Sequence, residues 1–304
     1  MWTAYSWYAS RGASVYWIAT AILTSTINTI QEIITMETQT VRDRLWLWGM
    51  KVNALQMTDN TEWSESTMTT EEAIQKTGIT NVLMAGGLPL TRETLNSMPS
   101  ARRIIAKWSL HSHSKEKGMY LDYDRCVAAL RDAKALAAID TRVESFLIDD
   151  FSTGSIDAGV KPEHLAQLQF VNAAEFPHLP LHGTVYTMTL DRPQLPALLP
   201  YFAAYLTPLW HATDIERLPG DVDLLAALSG GKPQLLCIYL YDFGNGQQLS
   251  YELMHRQLEV AKMLLSGDKV YGVVILGTCM MDLDWEANRC FYDWLDENGD
   301  QPLD

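Results

Sequence analysis

The chain has 304 residues, of which 47% are hydrophobic and 20% charged, an ordinary globular balance. That length supports one sizeable core without disulfides or structural metals, and it fits a single α/β barrel plus an extension. The formal net charge of -14 repels phosphate backbones and anionic bilayers, so neither a nucleic-acid partner nor a membrane surface is expected.

The first segment is aromatic, with Trp2, Tyr5, Trp7 and Tyr8 ahead of Arg11. An apolar run comes next, from Ala13 to Leu23, too short to span a bilayer and without a clear small-residue cleavage site. Residues Ser14 to Met36 are read as a helix, and residues 1–41 as an N-terminal extension packed on the remainder of the chain. Cys126, Cys237, Cys279 and Cys290 show no paired spacing, which argues against a zinc knuckle or redox pair and fits a reducing, cytoplasmic setting. A degenerate secretion leader is the alternative.

From Arg42 to the end, short apolar runs alternate with amphipathic stretches, the pattern of parallel strands linked by helices. The predicted strands are Leu45–Met50, Asn81–Ala85, Arg103–Leu110, Ser145–Phe151, His182–Thr189, Leu206–Trp210, Leu235–Asp242 and Val270–Gly277. The predicted helices between and after them are Thr70–Thr77, Thr91–Ser97, Tyr123–Ala138, Pro162–Ala174, Pro193–Phe202, Asp221–Leu228, Ser250–Ser266 and Asp284–Glu297. Eight successive units read as a (β/α)8 TIM barrel over residues 42–304, with an open six-stranded doubly wound sheet as the structural alternative. Local signals agree: Pro162 in a first helical turn, Ser250 and Asp284 as N-caps, and Gly230 and Gly267 as stops.

In such a barrel the chemistry lies at the C-terminal ends of the strands. The sharpest candidate is the pair Asp149 and Asp150, reached by the apolar run Phe146-Leu147-Ile148. Side chains alternate along a strand, so one carboxylate points into the mouth and the other away. A carboxyl at an apolar rim holds its proton more tightly and suits a general acid. The structural alternative has Asp150 capping a turn and Asp149 pairing with a basic side chain.

Strand seven ends in the same manner, Tyr239-Leu240-Tyr241-Asp242, and two carboxylates facing each other across a mouth are the equipment of glycosidic cleavage. The competing reading has Asp242 starting the Gly244-Asn245-Gly246 turn. Trp48, Trp108, Tyr186, Trp210 and Tyr241 also fall at strand ends, where flat rings with polar tips suit sugar faces. Lys107, His111, His211 and Asp282 complete the substrate-binding set; Lys107 would serve a Schiff-base aldolase in a second reading. His111 and His113 lack a third ligand, so no metal is expected. No dinucleotide fingerprint comes after the first strand, so no cofactor is expected either.

The strand-four end Leu147-Ile148-Asp149-Asp150-Phe151, the strand-seven segment Tyr239–Gly244 and Trp210–Asp214 at strand six together resemble glycoside hydrolase-like TIM barrels of bacteria and fungi. The resemblance covers the chain after Arg42 and implies a carbohydrate-active hydrolase acting on a small-molecule or oligosaccharide substrate. In that reading Asp149 or Asp150 is the acid/base, and Asp242 is nucleophile or stabiliser. The better-known retaining barrels carry glutamates at strands four and seven; this chain has aspartates, one methylene shorter. A non-catalytic sugar-binding barrel is the third reading.

Overall fold

The computed structural model describes residues 39–50, 66–85 and 91–303. The chain divides into two units, residues 1–39 with Asp304, and Thr40–Leu303. The helix predicted over Ser14–Met36 lies outside the described residues.

Eight parallel strands close into a barrel in which each pairs with its sequence neighbours and the first pairs with the last. They are β1 (Leu45–Gly49), β2 (Asn81–Met84), β3 (Arg103–Ser109), β4 (Val143–Asp149), β5 (Leu181–Thr184), β6 (Ala204–Pro208), β7 (Gln234–Tyr239) and β8 (Gly272–Leu276). Most are continuous apolar runs, as strands covered on both faces must be. The barrel side is lined by Trp46, Leu83, Ile105, Leu147, Leu206 and Val274, and the outer side is covered by helices. No helix among the described residues is long and apolar enough to cross a membrane.

The helices are α1 (Thr70–Thr77), α2 (Arg92–Asn96), α3 (Tyr123–Ala137), α4 (Pro162–Ala174), α5 (Leu195–Leu198), α6 (Leu218–Ser229), α7 (Tyr251–Ser266) and α8 (Glu286–Asn298). Their ends obey local chemistry. Thr69 and Glu72 form a reciprocal capping box on α1, and the Ser250 hydroxyl accepts from Leu253 N on α7. Gly230 ends α6 at φ 73°, a conformation open to glycine. The expected cap at Asp284 is not formed: Trp285 takes the N-cap position and Asp284 pairs with Arg289 at 2.6 Å. The helix expected over Pro193–Phe202 shortens to α5 and a 3-10 turn at Leu199–Tyr201, because Pro200 supplies no N–H to extend it.

All eight strands end short of the predicted runs, and three of these ends bear on the site. β4 stops at Asp149, and Phe151–Ser155 turns back as a π-helical turn. β5 stops at Thr184, with Thr187–Thr189 in a 3-10 turn. β7 stops at Tyr239, and Tyr241–Asp242 pairs antiparallel with Gln247–Gln248. In each case an apolar residue just past the end, Phe151, Val185 or Leu240, stays buried as the chain folds back, so hydrophobicity does not mark where the ladder ends.

The barrel is also tight. A Cβ on Gly272, which opens β8, would stand 2.8 Å from the Arg44 carbonyl oxygen and 2.9 Å from Trp46 Nε1. We expect Gly272→Ala to cost about 2 kcal/mol, the usual size of core overpacking, as a lower midpoint in urea with an unchanged slope.

Candidate active site

Strand register places the inward side chains at the barrel's C-terminal end. Trp48 pairs with Leu83 and Leu83 with Ile105; two residues on, Lys107 pairs with Leu147 and Leu147 with His182. Alternation from these positions puts Trp48, Lys107, Asp149, Thr184, Cys237 and Tyr239 on one face. That face is the interior, because Asp149 on β4 acts electrostatically on Cys237 and Tyr239 of β7, which is not its neighbour in the sheet.

Asp149 is the buried member of the pair. Lys107 Nζ lies 2.5 Å from its Oδ2, and the Thr184 hydroxyl donates to its Oδ1 at 3.4 Å. The same ammonium sits 4.7 Å from the Trp48 ring centroid, so a carboxylate and a π face share one cation. A buried carboxylate without such a partner would be costly.

Asp150 is half-buried and takes φ 47°, ψ 35°, a left-handed conformation that aspartate tolerates better than most residues. Tyr186 OH donates to Asp150 Oδ1 at 2.6 Å, while the Tyr186 amide donates to Ser152 Oγ, at 2.9 Å, in the turn just past Asp150. The negative charge of Asp149, with burial second, raises the Asp150 carboxyl to about 6; the Tyr186 hydrogen bond and the Lys107 charge only partly oppose this. Oδ1 already accepts from Tyr186, so the proton of the neutral form belongs on Oδ2.

Around the acids stands an aromatic group. Trp210 meets Tyr186 edge-on at 5.7 Å and Tyr239 at 6.5 Å, and it stacks on Phe243 at 6.0 Å. Trp210 and Phe243 keep part of their surface open. Two glycines allow the loops to close. A Cβ on Gly154 would stand 2.2 Å from the His111 ring, and one on Gly244 would stand 2.2 Å from His211 Nδ1. His111 thus braces the turn after Asp150, with Nδ1 3.3 Å from Ser155 Oγ, and burial lowers its proton affinity. His211 braces the turn after β7.

Other sequence candidates sit differently. Asp242 is fully buried beyond β7; its Oδ1 accepts from the Asn245 amide at 3.0 Å and its Oδ2 from Asn245 Nδ2 at 2.8 Å. Tyr241 is buried against Trp285 and Phe243. Asp282 accepts from Ser66 Oγ at 2.5 Å, Thr67 N at 2.8 Å and Met68 N at 3.1 Å, and so fastens the approach to α1. Trp108 occupies the face of β3 opposite Lys107, with the Arg125 guanidinium 5.4 Å from its ring. His113 lies exposed in the hairpin formed by His111–Ser114 and Gly118–Leu121. Among the described residues no three His, Cys, Asp or Glu side chains converge as a metal set. The residues missed from the sequence are Thr184, Tyr239 and Phe243; counting by twos from Cys237 finds Tyr239 once β7 is known to end there.

No family model and no curated protein matches the chain. Solved structures do. The FMN-binding beta-glucuronidase from Facaelibacterium prausnitzii L2-6 aligns at TM-score 0.50 and 10% identity, over 80% of this chain and 38% of that one. The Bacteroides uniformis beta-glucuronidase aligns at 0.48 and 7%, over 79% of this chain and 30% of its own length. PbGH5A, a glycoside hydrolase family 5 enzyme from Prevotella bryantii B14, aligns at 0.48 and 12%, over 86% and 99%. This chain therefore spans well under half the length of the two glucuronidases. At these identities the likeness is one of fold: the chain is a (β/α)8 barrel.

The raised Asp150 carboxyl has a signed consequence. Its folded-state affinity exceeds the ordinary aspartate value of 3.8, so it favours the folded chain at low pH, and that contribution is lost as pH rises towards about 6. We expect carboxyl-resolved NMR to find Asp150 titrating near 6, lower in Asp149→Asn and higher in Tyr186→Phe. Shifts of the same sign in both variants would contradict this electrostatic assignment.

Proposed function

We propose that the protein is a carbohydrate-active hydrolase in which Asp150 is the general acid. The observation carrying this reading is the condition of Asp150: partly open at the tip of β4, oriented by Tyr186 and protonated up to about pH 6. Such a group can donate to a glycosidic oxygen as the bond to the anomeric carbon breaks; a water molecule then bonds to that carbon and its released proton restores the Asp150 carboxyl. Asp149, paired with Lys107, raises the proton affinity of Asp150 and supplies negative charge for the positive character that develops on the sugar. Trp210 and Phe243 offer the aromatic surface on which a sugar's C–H face packs.

Asp242 enters this reading as the holder of the β7 turn, since both its oxygens are engaged by Asn245. Lys107 is engaged by Asp149, which leaves the Schiff-base alternative without a free amine. Neutral and acidic glycosides are the substrate class to screen; the fold likeness supports a carbohydrate substrate without naming the sugar.

The test is turnover of 4-nitrophenyl glycosides and dye-linked polysaccharides by the intact chain and its variants. Asp150→Asn should lower kcat roughly a hundred- to ten-thousand-fold with the melting temperature retained. Asp149→Asn should instead lower stability by leaving Lys107 unpaired, and should move the basic limb of the rate profile to lower pH. Full activity in both variants would end the assignment. Asp242→Asn should cost about 1–2 kcal/mol of stability without moving that limb, as thermal melts and the rate profile together would record.

A further inference from the structure

Tyr239 ends β7 on the inward face, across the barrel from Asp149 and Asp150. Its ring is clasped edge-on by Trp210 at 6.5 Å and Phe243 at 5.2 Å, and only 4% of the residue is exposed. A phenol so enclosed usually spends its O–H on a protein acceptor. Tyr186 does so on Asp150, and Tyr205, deeper in the structure, does so on the Leu199 carbonyl. The Tyr239 hydroxyl has no hydrogen bond to any described residue. Burial first, then the neighbouring Cys237, Asp150 and Asp149, drive its proton affinity well above the ordinary phenol range, so it remains a donor at every working pH.

We propose that Tyr239 is a substrate-binding residue of the same site, its hydroxyl donating to an uncharged acceptor oxygen, hydroxyl or carbonyl, on the sugar ring that presents its glycosidic oxygen to Asp150. This rests on the hydrolase reading above. The geometry gives the sugar two polar contacts from non-adjacent strands of the barrel, Asp150 at the end of β4 and Tyr239 on β7, with the Trp210–Phe243 pair alongside. An acceptor is required because the phenol offers its proton. A neutral one is favoured because Lys107 is already matched by Asp149, so an anionic substituent would meet uncompensated carboxylate charge once Asp150 ionises.

The experiment compares the wild-type chain, Tyr239→Phe, Tyr239→Leu and Asp150→Asn. The substrates are 4-nitrophenyl glycosides of neutral hexoses, N-acetylhexosamines and uronic acids, together with dye-linked polysaccharides. Tyr239→Phe keeps the ring that packs on Trp210 and Phe243. It should retain the melting temperature and the basic limb of the pH profile while kcat/KM falls about ten- to a hundred-fold. Tyr239→Leu, which loses the ring as well, should also lose melting temperature. Deoxy analogues of the best substrate should include one on which the wild type and Tyr239→Phe become equal, which identifies the acceptor. Wild-type kcat/KM in Tyr239→Phe, an equal loss on every deoxy sugar, or uronic acids as the best substrates would overturn the inference while leaving Asp150 in its role. A wild-type chain that cleaves none of the panel, or an undiminished Asp150→Asn, would overturn the hydrolase reading and the Tyr239 assignment with it.

Discussion

Two carboxylates stand on consecutive residues at the rim of an apolar barrel, and the protein deals with their charges in different ways. Asp149 is buried and paired with the Lys107 ammonium at 2.5 Å. Asp150 holds its proton to about pH 6, chiefly because Asp149 is charged. The arrangement requires strand β4 to stop between them. Had the strand continued, alternation would have sent Asp150 outward to the helical layer. The left-handed backbone at Asp150 keeps it at the mouth while Asp149 points down the axis.

That reversal is supported by its surroundings rather than by Asp150 itself. The turn at Phe151–Ser155 packs under His111 through the bare backbone of Gly154, and Ser152 accepts from the Tyr186 amide. Thr189 in turn donates to Ser152 at 2.7 Å. The tyrosine that orients the acid is thus anchored by the turn that the acid begins. A parallel device operates across the mouth, where Gly244 admits the His211 ring and Gly244 N donates to the Trp210 carbonyl at 3.0 Å. A loop locked at both ends loses little conformational entropy when a ligand arrives.

The barrel is a fold that hosts many chemistries, so its likeness to solved glycoside hydrolases speaks to architecture, and the function rests on the side chains at the rim. The acids near the ends of β7 and β8 are instructive in this respect. Asp242 and Asp282 occupy positions where catalytic carboxylates belong, yet each uses both oxygens to hold a neighbouring segment, at Asn245 and at Ser66–Met68. Asp150, by contrast, has one carboxyl oxygen without a hydrogen bond to any described residue, and that contrast separates the proposed acid from the structural ones.

The sequence by itself determined the eight βα units, several helix ends to the residue, and the position of the acid pair. Those are readable because buried parallel strands are continuous apolar runs, and because capping residues such as Ser250 and Pro162 act locally. It did not determine which aspartate faces the mouth, that Lys107 neutralises Asp149, or that Tyr239 rather than Tyr241 looks inward. These depend on where each ladder ends, and the ends of β4, β5 and β7 are masked by the buried apolar residues Phe151, Val185 and Leu240 just beyond them. A shift of one residue in a strand's end exchanges its two faces. Only barrel closure, bringing β3, β4 and β7 around one axis, decided which side chains meet.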